Sequence, residues 1–130
     1  MSDSIFTKII KGEIPAHKIY EDENFVAFLD IKPINPGHTL IVPKAPIDYL
    51  FDLPHNLYAE IFEICRKLEP GIRKSTNAVR VGMVVYGFDV PHAHIHLVPL
   101  YAGGELDFKL AKMADGGELA KIAELIKSYL

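Results

Sequence analysis

Pro91-His92-Ala93-His94-Ile95-His96-Leu97-Val98-Pro99 covers nearly the whole of a β-like stretch that runs from Val90 to Val98. Side chains alternate across a strand with a period of two, so His92, His94 and His96 share one face, and Ala93, Ile95 and Leu97 share the other. The second set is an ordinary core face. The first is a row of three imidazoles over about 13 Å of strand. Generic packing gains little from three such rings, whereas phosphate chemistry near neutral pH suits them. A neutral ring can attack phosphorus through one nitrogen while the other is held, and neighbouring rings can donate to phosphate oxygens. Alternation alone does not select that reaction. A structural polar cluster or exposed strand face would show the same pattern, and so would a transition-metal site. Against the metal, successive positions on one face need not converge to a ligand distance of about 2.1 Å, and no cysteine stands nearby.

Upstream, Gly87 is expected to turn the chain. Ala78 to Tyr86 reads as an interior strand with Val79, Val81, Met83 and Val85 on one side. Leu57, Ile61, Ile64 and Leu68 recur at helical spacing and predict a long central helix. Pro54 suits its first turn, and Pro70-Gly71 marks its end, with any continuation around Ile72 irregular. Nearer the start, His17–Tyr20 and Phe25–Leu29 read as a hairpin about the polar turn 21–24. The loop Asp30–Gly37 carries two prolines and a glycine and is expected to be ordered, with His38–Val42 resuming β character until Pro43. Ile5–Gly12 predicts a short amphipathic helix closed by Gly12, and Glu118–Leu130 an amphipathic helix on Leu119, Ile122, Leu125 and Ile126. Hairpins on both sides of one long helix predict an α+β domain, an antiparallel sheet covered by that helix and short flanking ones. Neither a GxGxxG nor a phosphate-loop lysine supports a doubly wound fold. The 130 residues are expected to form one domain, 1–130, with 100–130 as its less defined C-terminal extension.

Seventeen acidic residues against 14 lysines and arginines leave a net charge of -3, so no broad basic surface for nucleic acid is expected. A small anion bound by imidazoles and backbone amides is compatible with that balance. The lone Cys65 excludes a disulfide framework and reads as a core thiol beside Ile61, Ile64 and Leu68. Ser2, Asp3 and Ser4 do not open a signal peptide, and no apolar run approaches the ~20 residues of a membrane span. A cytoplasmic protein, not bound to a membrane, is the expectation.

Four stretches together resemble the histidine triad family of nucleotide hydrolases and transferases. They are Ile5-Phe6 through Gly12-Glu13-Ile14-Pro15, Ala27-Phe28-Leu29-Asp30-Ile31, Pro36-Gly37-His38-Thr39-Leu40-Ile41-Val42-Pro43-Lys44, and His92 through Pro99. The resemblance implies an α+β fold, a homodimer, and a groove on the sheet for a nucleoside monophosphate moiety, purine favoured. By motif position His94 is the nucleophile that forms a nucleotidyl-histidine, His96 contacts phosphate oxygens, and His92 and His38 complete the imidazole network. Asp30 matches the residue that binds ribose hydroxyls, and Phe6, Phe28, Ile31 and Leu40 match the base pocket. From the residues alone, an Asp beside a proline-rich loop such as Asp30 is more often a solvated turn residue, and His38 is equally open to a structural role.

Two departures stand out. Tyr86-Gly87-Phe88 replaces the Ala-Gly-Gln common in the family's phosphate-binding turn, and Asp89 stands where a serine or other polar residue assists the leaving group. Gly87 keeps a turn with backbone donors, but Phe88 has no side-chain amide. Ile5 and Lys8 occupy the positions of a cysteine pair found in some bacterial relatives, and the chain has no tryptophan for the specificity tail of others. No metal or cofactor is expected. The leading expectation is hydrolysis of a nucleoside phosphoramidate or dinucleoside polyphosphate through nucleotidyl-His94, or phosphorolysis if phosphate is the second nucleophile. The alternatives are a catalytically weak nucleotide-binding regulatory module and a metal-binding protein.

Overall fold

The computed structural model describes residues 3–130, so of the residues behind the N-terminal reading Ser2 lies outside it. Helix α1 (Ile5–Ile10) starts where the Ser4 hydroxyl accepts the Thr7 amide at 3.1 Å. It ends where Gly12, at φ +79°, takes the left-handed conformation that glycine adopts without a Cβ clash. Strands β1 (Lys18–Glu21) and β2 (Phe25–Leu29) form the expected hairpin, and β3 (Thr39–Pro43) follows the Asp30–Gly37 loop. After a 3-10 turn at Leu50–Asp52 come α2 (His55–Thr76), β4 (Arg80–Val84), β5 (Ile95–Leu100), a 3-10 turn at Phe108–Leu110, and α3 (Gly116–Ser128). The five strands lie in the order β1-β2-β3-β5-β4 with every neighbouring pair antiparallel. This is the α+β architecture expected.

Both faces of the sheet are covered, which explains why β2 and β3 are buried at every residue and show no polar alternation. On one face Phe25, Ala27, Leu29, Ile41, Ile95 and Leu97 pack against Ile61, Ile64, Leu68 and Ile72 of α2 and Leu119, Ala123 and Ile126 of α3. On the other, Val26, Phe28, Leu40 and Val42 pack against Phe6 and Ile9 of α1. Cys65 sits in the larger core, where burial pushes its thiol up to about 12. No described helix is long and apolar enough to cross a membrane.

Four sequence expectations are corrected. Helix α2 does not end at Pro70-Gly71 but continues to Thr76, and Asn77 closes it at φ 55°. Pro70 has no amide for the helix ladder, but Leu68 and Ile72 on either side are fully buried, and that packing outweighs one missing bond. Gly71 is buried under the C-terminus, since a Cβ there would stand 2.9 Å from Leu130 Cδ2. Strand β4 is an edge strand and not an interior one, with Val79 68% exposed and Met83 and Val85 also exposed. Strand β5 begins at Ile95, so His92 and His94 precede it on a bent segment. In α3 the buried positions are Leu119, Ala123 and Ile126, whereas Leu125 is exposed.

Candidate functional site

The register across the sheet pairs Phe28 with Leu40 and Leu40 with His96, which puts His96 in line with the α1-side apolar row. His92, His94, His96 and His38 are all buried, at 1 to 3% exposure, so the triad is no solvent-facing strand surface. Buried imidazoles need partners for their nitrogens, and here backbone groups decide which nitrogen carries the hydrogen.

The carbonyl of His92 lies 2.7 Å from His94 Nδ1 and can only accept, so Nδ1 carries the hydrogen. The lone pair of neutral His94 is then on Nε2. Burial, the largest influence, holds this imidazole below its ordinary pKa, with the donated bond and the carboxylates of Asp89 and Asp48 opposing. A second chain of bonds begins at the Ile34 amide, which donates to His38 Nδ1 at 3.0 Å. His38 must then donate through Nε2 to His96 Nδ1, at 2.9 Å. That leaves the hydrogen of neutral His96 on Nε2, a buried atom with no hydrogen-bond partner among the described residues. Burial, and secondarily the nearby imidazoles, pushes His38 down to about 4 and His96 to about 3, so both are neutral near pH 7. His92 Nε2 donates to the Pro43 carbonyl at 2.7 Å, and its Nδ1 faces the hydroxyls of Ser4 and Thr7 at 3.4 Å. It ties the start of α1 to the sheet.

Asp30 accepts the Lys32 amide at 2.9 Å through Oδ1. Burial raises its carboxyl above the ordinary range, and the Asp89 charge adds to that. Its Oδ2 lies 3.6 Å from His38 Nε2, too far for a hydrogen bond, and with His38 neutral the contact is no ion pair. Asp30, His38 and His96 bring one ligand atom each within 4.8 Å of one another, a spacing that a metal can use. The hydrogen on His38 Nε2 and the lone pair of His96 Nδ1 are already engaged with each other, so the relay accounts for this cluster.

A cavity of about 350 Å³ opens over these groups. It gathers Phe6, Asp30, Leu40, Asp89, His94 and His96 from the sequence-derived set, while His38 and His92 stand behind the front rings. Phe28 and Ile31 do not reach it. Phe28 is buried behind Phe6, with ring centroids 5.5 Å apart, and Ile31 is 52% exposed. Gly87 and Phe88 line a second cavity of about 500 Å³ with Asp48, Tyr49, Phe51 and Tyr86, and His94 borders both cavities. Sequence reasoning missed Lys32, Val90 and Phe108 on the first cavity and Asp48 on the second. Phe108 packs edge-on to His96 with centroids 4.9 Å apart. Its segment is held to the Asp30–Gly37 loop by the Lys112 and Ala114 amides on the Pro33 and Ile31 carbonyls.

The HIT domain family model matches residues 11–103. A HIT-like protein of Methanocaldococcus jannaschii is 40% identical over 90% of this chain and 95% of its own. The Candida albicans adenosine 5'-monophosphoramidase HNT1 is 35% identical over 97% of this chain and 90% of its own. Among solved structures, a Hit-like protein from Bartonella henselae superposes with a TM-score of 0.88 at 28% identity, covering 100% of both chains. The fold, the imidazole constellation and these matches agree: the chain belongs to the HIT (histidine triad) domain family.

Proposed function

We propose that the protein is a nucleotidyl hydrolase or transferase acting on a nucleoside phosphoramidate or dinucleoside polyphosphate through a covalent nucleotidyl-His94 intermediate. The observation that carries this reading is the bond from His94 Nδ1 to the His92 carbonyl, which leaves Nε2 as a lone-pair nitrogen on a cavity wall. His96 Nε2 supports it as a buried, unpartnered donor beside the nucleophile, suited to a phosphate oxygen whose charge grows in the transition state. Asp30 stands on the same cavity with one carboxylate oxygen free of the Lys32 amide, available to a ribose hydroxyl. Phe6 and Leu40 provide apolar wall for a base. The relative from Candida albicans carries a name of this chemistry, adenosine 5'-monophosphoramidase.

The test is intact-protein mass after rapid quench with an adenosine phosphoramidate. The parent gains the adenylyl increment. His94→Ala does not, and its kcat falls on the order of 10⁴-fold or more. His96→Ala retains the adduct, but kcat falls about 10²–10³-fold, as for loss of one oxyanion donor. Because His94 is buried, its truncation opens core volume, so His94→Gln serves as the volume-matched control and circular dichroism monitors the fold. Adduct formation by a folded His94→Gln protein at the parental rate would sink the assignment.

A further inference from the structure

Acidic groups flank His94 on both sides. Asp89 lines the cavity that holds His94, His96 and Asp30, and Asp48 lines the second cavity, which meets the first at His94. Both carboxylates are close enough to act on the His94 imidazole, and Asp89 also acts on Asp30. Among the described residues Lys32 is the only lysine or arginine that lines either cavity. Beyond the phosphorus, a departing group therefore meets negative charge and exposed aromatic rings, chiefly Phe88, which is 83% exposed.

On the basis of the proposed reaction, we infer that Asp89 and Asp48 are specificity-determining residues that select substrates whose leaving group departs neutral or cationic. This favours phosphoramidates of amines, above all amines with a second positive charge, over polyphosphates. An anionic leaving group accumulates charge as its bond to phosphorus breaks, and among the described residues no lysine or arginine lines the second cavity to take it. An amine does the reverse. His94 Nε2 gives its lone pair to phosphorus, the P–N bond breaks, and the pair stays on nitrogen, which takes a proton from water. The remaining hydroxide oxygen then attacks phosphorus and the His94–P bond breaks, its pair returning to Nε2. One water is consumed: one of its protons ends on nitrogen, its oxygen and other proton end on the nucleotide as a P–OH, and the released amine, the stronger base, then takes that P–OH proton to leave an ammonium and a nucleotide dianion. The ammonium that forms is attracted to the two carboxylates, and the exposed rings suit a cation as well as an apolar chain.

The experiment compares kcat/KM for three adenosine 5'-phosphoramidates of matched size whose amine ends in an ammonium, a methyl or a carboxylate, with a diadenosine polyphosphate beside them. In the parent the ammonium form is expected to exceed the carboxylate form by about tenfold or more at low ionic strength, with the polyphosphate slowest. Asp89→Asn and Asp48→Asn are each expected to shrink that ratio several-fold, and salt is expected to shrink it in the parent. A structural role for either carboxylate would not move a ratio taken within one protein, and a loss of folded fraction cancels from it. A parental ratio near one, or one unchanged in both variants, overturns the selection. Absence of the adenylyl adduct with every substrate would instead overturn the proposed reaction.

Discussion

The carbonyl of His92 and the amide of Ile34 are ordinary backbone groups, yet they assign the hydrogens of His94, His38 and His96. The price of that assignment is that the rings stay neutral in a buried array, and it appears in the pH dependence of stability. An unfolded chain protonates these imidazoles below about pH 6.5, whereas the folded chain keeps His38 neutral down to about 4 and His96 to about 3. The unfolded state thus binds more protons in that window, and stability is complete above 6.5 and falls as pH drops through it. Asp30, whose carboxyl is raised, acts in the opposite sense and blunts the acid end. Unfolding free energies from urea titrations between about pH 7 and about pH 4 should fall in the parent by up to about 1.4 kcal/mol per pH unit per ring. The fall should be shallower in His38→Asn, and equal slopes would remove the buried neutral ring from the account. The HxHxH alternation makes the shared face of the triad legible in the sequence. The tautomers are not, because Pro43, the partner of His92, lies 49 residues away, and the groups that fix the hydrogens of His94 and His38 are a backbone carbonyl and a backbone amide rather than side chains.

At the scale of elements, the Asp30–Gly37 loop delivers His38 to the site, and one glycine sets how it does so. Gly37 has φ +95°, and a Cβ on it would stand 2.7 Å from Thr76 Cγ2 at the end of α2 and 3.2 Å from Pro99 Cγ in β5. Gly37→Ala should therefore cost about 2–3 kcal/mol, combining left-handed strain with a clash between packed elements. Gly71→Ala makes the contrast. Its Cβ would crowd the flexible end of Leu130 at 2.9 Å, with the Ile126 carbonyl oxygen and Tyr129 Cβ at an ordinary 3.5 Å, and alanine gains helix propensity, so the change should be within about 1 kcal/mol of neutral. Chemical denaturation of the two variants checks the difference, and equal losses would refute it. The polar turn 21–24 between two β-favouring runs makes the β1–β2 hairpin legible, and helical spacing makes the α2 stripe and, Leu125 apart, α3 legible. The run of α2 past Pro70 escapes such patterns, since tertiary packing of Leu68 and Ile72 decides the point. The place of Phe108 escapes them too, for its segment is irregular and is held by the Lys112 and Ala114 amides, which donate to carbonyls of a loop roughly 80 residues earlier in the chain.

For the whole molecule, β4 leaves one edge of the sheet open, with Val79, Met83 and Val85 exposed beside it. Such an edge is normally covered or blunted, and pairing with a second copy covers it. Light scattering across a concentration series should give twice the 14.5 kDa chain mass, and Met83→Lys should shift the protein toward the single-chain mass. A parent that stays at 14.5 kDa throughout would remove the homodimer. The closed interior has a different consequence, visible at Cys65. The chain has one thiol, sealed between α2 and the sheet and holding its proton up to about 12. A thiol-directed reagent in the surrounding water finds no thiolate while the core is shut, and every labelling event counts an opening of the interior. The molecule thus carries its own clock for unfolding, one that needs no engineered probe and runs in the dark under native conditions.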